Sequence, residues 1–241
     1  TTAKGKIEAD VFVSPMPEAE TLMIDGPLEL REELFARLDR YIIADDAELE
    51  DVTGDWCMTH YFGGAPEQFE TGGWIRSANR YGISGTDLIT PTPTPNAGSG
   101  LTEDQLEEVR IVNGIARWGA ELGPSVLPQE ALLQDRAIDF HKGCYIGQEI
   151  ISRIKSVGKV NRYLVSMVAD ADSRIEKGWS LENEDRTVGT ISSCVHSPNL
   201  DRMIALGFVK RGHETPGTRL KAKSDENNLS SWLEIRETSL I

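Results

Sequence analysis

Hydrophobic positions recur with a period of two along several stretches and with a period near 3.6 along others, and the changes of period delimit the expected elements. Ile7, Ala9, Val11 and Val13 alternate with polar residues and predict an opening strand. Thr21 to Ile24 reads as a short strand closed by Asp25-Gly26. Pro27 suits a first helical position, and Leu30, Leu34, Leu38 and Tyr41 follow at helical spacing. Further strands are expected at Leu49–Thr53, Trp56–Phe62 and Gly73–Ser77, with Leu88 and Ile89 closing the region.

Pro91, Pro93 and Pro95 lack N–H donors and fix φ, so 91–100 is expected to be an extended connector. Beyond it Thr102 and Gln105 form a capping-box pattern, with Leu101 and Leu106 placed as a staple. Leu106, Val109, Ile111 and Val112 then predict a helix with one buried stripe, ended by Asn113-Gly114. A shorter helix is expected from Pro128 to Gln134. After Gly158 the period becomes two. Val160 to Ala169 is apolar on both sides, which predicts a strand buried on both faces. Thr187–Ser193, Arg202–Val209, Thr218–Ala222 and Ser231–Ile235 add four strands without a long helix, the pattern of a small antiparallel sheet or barrel. The expected division is therefore 1–157 and a C-terminal β-domain at 158–241.

Composition narrows the functional classes. The 241 residues carry 25 basic and 39 acidic side chains, a net charge of −14. A broad nucleic-acid surface is disfavoured, because such surfaces draw affinity from Lys and Arg releasing counterions. Cys57, Cys144 and Cys194 are far apart and form no CxxC pair, so neither a disulfide framework nor a four-cysteine metal site is expected. His60, His141, His196 and His213 are scattered, and no metal site is expected from them. No apolar run reaches the ~20 residues of a membrane span, and a cytoplasmic location fits the cysteine usage. The start at Thr1, without methionine and running straight into strand-like sequence, reads as an internal segment.

The densest chemistry lies between Ile138 and Glu149. His141, Lys142, Cys144, Tyr145, Gln148 and Glu149 bring imidazole, ammonium, thiol, phenol, amide and carboxylate into nine residues, with Gly143 and Gly147 permitting close backbone approach. An isolated cysteine is usually a small core hydrophobe. A free thiol is only about 3% thiolate at pH 7, and a held cation, Lys142 or protonated His141, would raise that fraction. The glycines form neither GxGxxG nor a P-loop.

Lys142-Gly143-Cys144-Tyr145-Ile146-Gly147-Gln148-Glu149 resembles the signature of the YgfZ-like folate-binding proteins, relatives of the glycine-cleavage T-protein, an aminomethyltransferase. Gly5-Lys6-Ile7-Glu8-Ala9-Asp10, Gly85-Thr86-Asp87-Leu88, Arg110 to Ile115, Gly119 to Leu122, Pro128-Gln129-Glu130 and several C-terminal segments extend the likeness over most of the chain. The resemblance implies an α+β, multi-lobed T-protein-like architecture with mixed and antiparallel sheets, a small C-terminal β-barrel and a tetrahydrofolate pocket. It also implies a role in assembling or repairing iron–sulfur proteins, with iron–sulfur client or assembly proteins as partners, and an indirect link to tRNA modification. It starts at Gly5, so an N-terminal segment that carries the Asn-x-x-Asp neighbourhood of T-proteins is expected to be missing.

Within that resemblance Cys144 and Lys142 are the candidate reactive pair, and Gly143, Tyr145, Gly147, Gln148 and Glu149 the loop that shapes them. Gln148 and Glu149 are expected to fix the loop, Glu149 by pairing with Lys142. Asp87 and Glu121 are candidate carboxylates for a pteridine edge, since one carboxylate accepts two parallel donors. Arg110 is a candidate for the folate glutamate tail, and Trp74 and Tyr145 for ring stacking. The structural alternatives are a turn cap for Glu121, a surface Arg pair for Asp87, a helix-surface salt bridge for Arg110 and core packing for the aromatics. Cys144 has three candidate roles: adduct capture, a transient cluster ligand, or a redox-sensitive contact. The rival functions are a true aminomethyltransferase and a non-catalytic assembly scaffold.

Overall fold

A computed structural model of the protein describes residues 1–18, 20–64, 72–93, 100–226 and 229–237. The chain forms two compact units, Ala9–Gly100 and Thr1–Glu8 with Leu101–Ile241. Most of the expected connector at 91–100 lies outside the described residues.

In the 9–100 unit, β1 (Phe12–Pro15) pairs antiparallel with β2 (Leu22–Asp25). A single 3₁₀ turn, Leu28–Leu30, leads into α1 (Arg31–Asp39). β3 (Cys57–Phe62), β4 (Trp74–Ala78) and β5 (Gly85–Thr90) form an antiparallel sheet in the order β3-β5-β4. Three expectations fail in this unit. The opening strand is only β1, because the alternation from Ile7 crosses the boundary between units: Ile7 is buried in the other unit and its N–H donates to Val126 O at 2.9 Å. Leu49–Thr53 is not a strand, because Asp51 Oδ1 accepts from both Thr53 N and Thr53 Oγ1 and turns the chain locally. The expected helix ends at Asp39 with no fully buried residue of its own, and Tyr41 is exposed; Leu30 in the preceding turn is the residue that is buried.

In the other unit α2 spans Glu103–Val112. Thr102 Oγ1 accepts from Gln105 N, and Gln105 Oε1 accepts from Thr102 N, so the expected capping box forms. Ile111 and Val112 are buried, whereas Leu101 is largely exposed. The helix expected at Pro128–Gln134 is a 3₁₀ turn, Pro128–Ala131, closed by Leu132 at φ 60°. A helix that the periodicity analysis did not predict, α3 (Gln148–Val157), follows the signature loop. Then β6 (Arg162–Ala169), β7 (Ser180–Asn183), β8 (Arg186–Ser197), β9 (Arg202–Lys210), β10 (Arg219–Lys223) and β11 (Ser230–Arg236) close an antiparallel barrel in the order β10-β11-β6-β9-β8-β7. β7 is the strand missing from the sequence expectation.

β6 is buried on both faces. Val165, Met167 and Ala169 point into the barrel with Leu181, Leu220 and Leu233, whereas Leu164 joins Ile204, Leu206 and Ile111 in a second core on the outer wall. That outer core is why the residues from Leu101 onward, with Thr1–Glu8, fall in one compact unit with the barrel: α2 packs against β8 and β9, and Ile7 joins the same core.

Candidate functional site

The segment before the signature cysteine is held by one carboxylate. Asp139 Oδ1 accepts from the backbone N–H groups of His141, at 2.7 Å, and Lys142, at 3.2 Å. The His141 N–H above all holds the Asp139 carboxyl below the usual range, with help from the Lys142 N–H and the His141 and Lys142 charges. This turn projects His141, Lys142, Gly143 and Cys144 into solvent.

Behind the turn the loop is clamped by the first residues of the chain. Gly147, at φ 86°, is the N-cap of α3, and a Cβ there would lie 2.5 Å from Thr2 O. Thr1 Oγ1 donates to Ile146 O at 2.6 Å. Gly5, at φ 71°, lets the same N-terminal turn lie against Ile150. Both glycines are thus required by backbone conformation and by close approach. Gly158, at φ 69°, closes α3, and its N–H donates to Ile154 O.

The signature residues divide accordingly. Cys144 is exposed, so its sulfur is reachable. Lys142 does not pair with Glu149; its Nζ lies 5.2 Å from the centre of the Tyr145 ring. Glu149 and Gln148 form the first turn of α3, with Glu149 in solvent. The Tyr145 hydroxyl is buried and has no hydrogen-bond partner among the described residues, and burial together with the Asp139 charge pushes the phenol up.

Beside this loop lies a cavity of about 650 Å³, within the range of small-molecule sites. Phe140, His141 and Tyr163 contribute rings to its wall. Lys155, from the last turn of α3, holds its Nζ 3.9 Å above the Phe140 ring. Gln129 donates from Nε2 to Ile151 O at 3.0 Å, which fixes the amide and leaves its buried Oε1 as an acceptor without a partner among the described residues. The expectations named none of Gln129, Phe140, Lys155 and Tyr163 as site residues. The signal for Phe140 was its place next to His141; nothing local distinguished Gln129.

None of the five expected folate contacts, Asp87, Arg110, Glu121, Trp74 and Tyr145, lines this cavity. Asp87, on β5, is fully buried and both its oxygens are taken. His60 Nδ1 donates to Oδ1 at 2.7 Å, Arg76 Nε to Oδ2 at 2.9 Å and Arg80 Nη2 to Oδ2 at 2.7 Å. Burial alone would raise this carboxyl, but hydrogen bonds and charge from Arg80, with His60 and Arg76, hold it at about 2. Trp74, in the same unit, packs edge-on against Trp56 with ring centres 4.9 Å apart, its buried Nε1 without a partner among the described residues.

Arg110 and Glu121 meet each other in the barrel-containing unit. Arg110 is buried rather than on the helix surface. Its Nη1 donates to Glu121 Oε2 at 2.9 Å and to Ile115 O at 2.6 Å, and it also pairs with Glu107. Glu121 accepts further bonds from Arg117 N and, at 2.6 Å, from Ser193 Oγ. This network ties α2, the 115–122 turn and β8 together. Among the described residues no group of three or more His, Cys, Asp or Glu is placed to hold a metal ion, and no helix is long and apolar enough to cross a membrane.

Residues 162–230 match the model of the glycine cleavage T-protein C-terminal barrel domain. An aminomethyltransferase of Cutibacterium acnes is 27% identical over 210 residues, which cover 82% of this chain and 54% of that protein. A mitochondrial iron–sulfur cluster assembly factor IBA57 homolog of Yarrowia lipolytica is 23% identical over 212 residues, covering 81% of this chain and 42% of that protein. The chain thus spans about half the length of these curated relatives. The crystal structure of the glycine cleavage system aminomethyltransferase T from Bartonella henselae superposes with a TM-score of 0.78 at 15% identity, over 100% of this chain and 74% of that one. The chain therefore has a T-protein-like fold, α+β with antiparallel sheets and a closed C-terminal barrel.

Proposed function

We propose that the protein is a tetrahydrofolate-binding factor of the YgfZ-like branch, acting in the cytoplasm on iron–sulfur client or assembly proteins. The observation that carries the reading is an exposed Cys144, on a loop braced from behind, whose preceding residues Asp139, Phe140 and His141 line a cavity of about 650 Å³. The cavity suits the cofactor. Phe140 and Tyr163 line it with rings against which a flat ligand can pack, with Lys155 already over one face of Phe140, and Gln129 Oε1, without a partner among the described residues, offers an acceptor for a ring N–H donor. When bound, tetrahydrofolate supplies a one-carbon carrier.

Cys144 supplies one thiolate, so a cluster handled here is completed by ligands from the client or a small thiol. The other two cysteines are less accessible, and burial pushes Cys194 up to about 11. A link to tRNA modification follows through such a client rather than through RNA contact, given the net charge of −14.

The second reading is an aminomethyltransferase, supported by the relative from Cutibacterium acnes. A Cys144→Ser variant separates the two. The leading reading expects a folded protein, with unchanged thermal melt, that no longer restores an iron–sulfur enzyme in cells lacking the endogenous protein. Full restoration by the variant, or methylene transfer from an aminomethyl-lipoyl carrier to tetrahydrofolate, would favour the rival.

A further inference from the structure

The outer wall of the barrel carries a second cavity, of about 480 Å³, between the 119–126 turn and the β6, β8 and β9 strands. One of its walls is cationic. Arg162 and Lys210 are direct cross-strand partners on β6 and β9 and so project from the same face. Like charges in that relation destabilise a sheet. In a chain of net charge −14, a facing pair of cations calls for a negative partner.

The chain supplies that partner only in part. Arg162 Nε donates to Glu130 Oε2 at 3.2 Å, an oxygen that also accepts from Leu127 N, and the guanidinium lies 4.5 Å from the centre of the Phe208 ring. These contacts fix the guanidinium. Lys210 Nζ is held by Thr187 O at 2.9 Å, and among the described residues no carboxylate pairs with it. Glu121 also lines the cavity, but its side chain is wholly buried and both oxygens are already bonded to Arg110, Arg117 N and Ser193. The hydroxyl residues Thr190 and Ser192 complete the polar wall.

We infer that this cavity binds a small organic oxyanion, with Lys210 and Arg162 holding its phosphate or carboxylate group. The volume exceeds what a bare ion needs, and Leu122, Val126 and Phe208 give it apolar surface for the remainder of the ligand. The site is separate from the cavity beside Cys144, with no lining residue in common, and it does not depend on folate.

Thermal melts at constant ionic strength, with chloride replaced by inorganic phosphate or by succinate, test the inference. The wild-type protein is expected to gain melting temperature with at least one of the two anions. Phosphate alone would mark a phosphoryl-bearing ligand, and succinate alone a carboxylate-bearing one. Lys210→Gln should melt higher than wild type in chloride, because the facing repulsion is gone, and should bind the effective anion roughly tenfold more weakly. Lys210→Arg should keep the anion response. No response to either anion in wild type, or an equal response in Lys210→Gln, would overturn the inference.

Discussion

Replacing Gly147 by alanine tests how the signature loop is held. The backbone there sits at φ 86°, a region that costs an L-residue with a Cβ about 1–2 kcal/mol. The added methyl would also lie 2.5 Å from Thr2 O and 3.1 Å from Thr1 Oγ1, so the N-terminal turn must retreat. That movement strains or breaks the Thr1 Oγ1 to Ile146 O hydrogen bond, worth about 0.5–1.5 kcal/mol. Together these give a loss of roughly 1.5–3.5 kcal/mol. Gly143, one residue before the cysteine, is the control. Nothing lies within 4 Å of its virtual Cβ and its φ is not left-handed, so Gly143→Ala should be neutral or stabilise by up to ~1 kcal/mol. Urea denaturation of both variants reads the difference, and alkylation of Cys144 reports whether the loop has loosened. Equal stability of the two variants, or a Gly147→Ala loss below about 0.5 kcal/mol, would refute the bracing argument.

Three other outcomes follow from the geometry. Asp87→Asn removes the carboxylate shared by Arg76, Arg80 and His60 and leaves Asp25 as the counter-charge of the two arginines, so the 9–100 unit should lose about 3–5 kcal/mol, read by hydrogen exchange of β3 and β5 amides. The Asp87 carboxyl sits at about 2 when folded, below its ordinary 3.8, so its contribution of roughly 2 kcal/mol is complete above the unfolded value and disappears as pH falls toward 2; an acid titration of the same amides should show protection falling over that window. Iodoacetamide at pH 8 should label Cys144 first and Cys194 last, because one thiol is exposed and the other half-buried and pushed up to about 11; mass spectrometry of tryptic peptides gives the order.

The sequence disclosed the elements whose signals are local. The capping box of α2 depends on residues three apart, and the barrel strands other than β7 on alternation within single segments. β7 escaped because its four residues contain one hydrophobic, Leu181, which leaves no period to read. α3 escaped because the glycine-flanked run of reactive side chains reads as loop, although Ile150, Ile151 and Ile154 form a helical stripe ahead of the left-handed Gly158. The signature cysteine was legible, and so was the need for Gly147; the close approach expected at Gly143 is absent, because nothing lies within 4 Å of a Cβ there. The cause at Gly147 was not legible, because the clamp on it is formed by Thr1 and Thr2, distant in sequence. Arg110, Glu121 and Asp87 were visible as charged residues. Only the folded chain shows their partners, and those partners consume the oxygens and donors that a ligand would need.

The central claim is that the cavity beside Cys144 holds tetrahydrofolate, and calorimetric titration of the protein with tetrahydrofolate tests it most directly. Wild type should bind saturably at one site. Phe140→Ala and Gln129→Leu, which remove a wall ring and the Oε1 acceptor, should each weaken binding roughly tenfold while Cys144 stays open to alkylation. Absence of binding to wild type, or an affinity that neither substitution changes, would contradict the account.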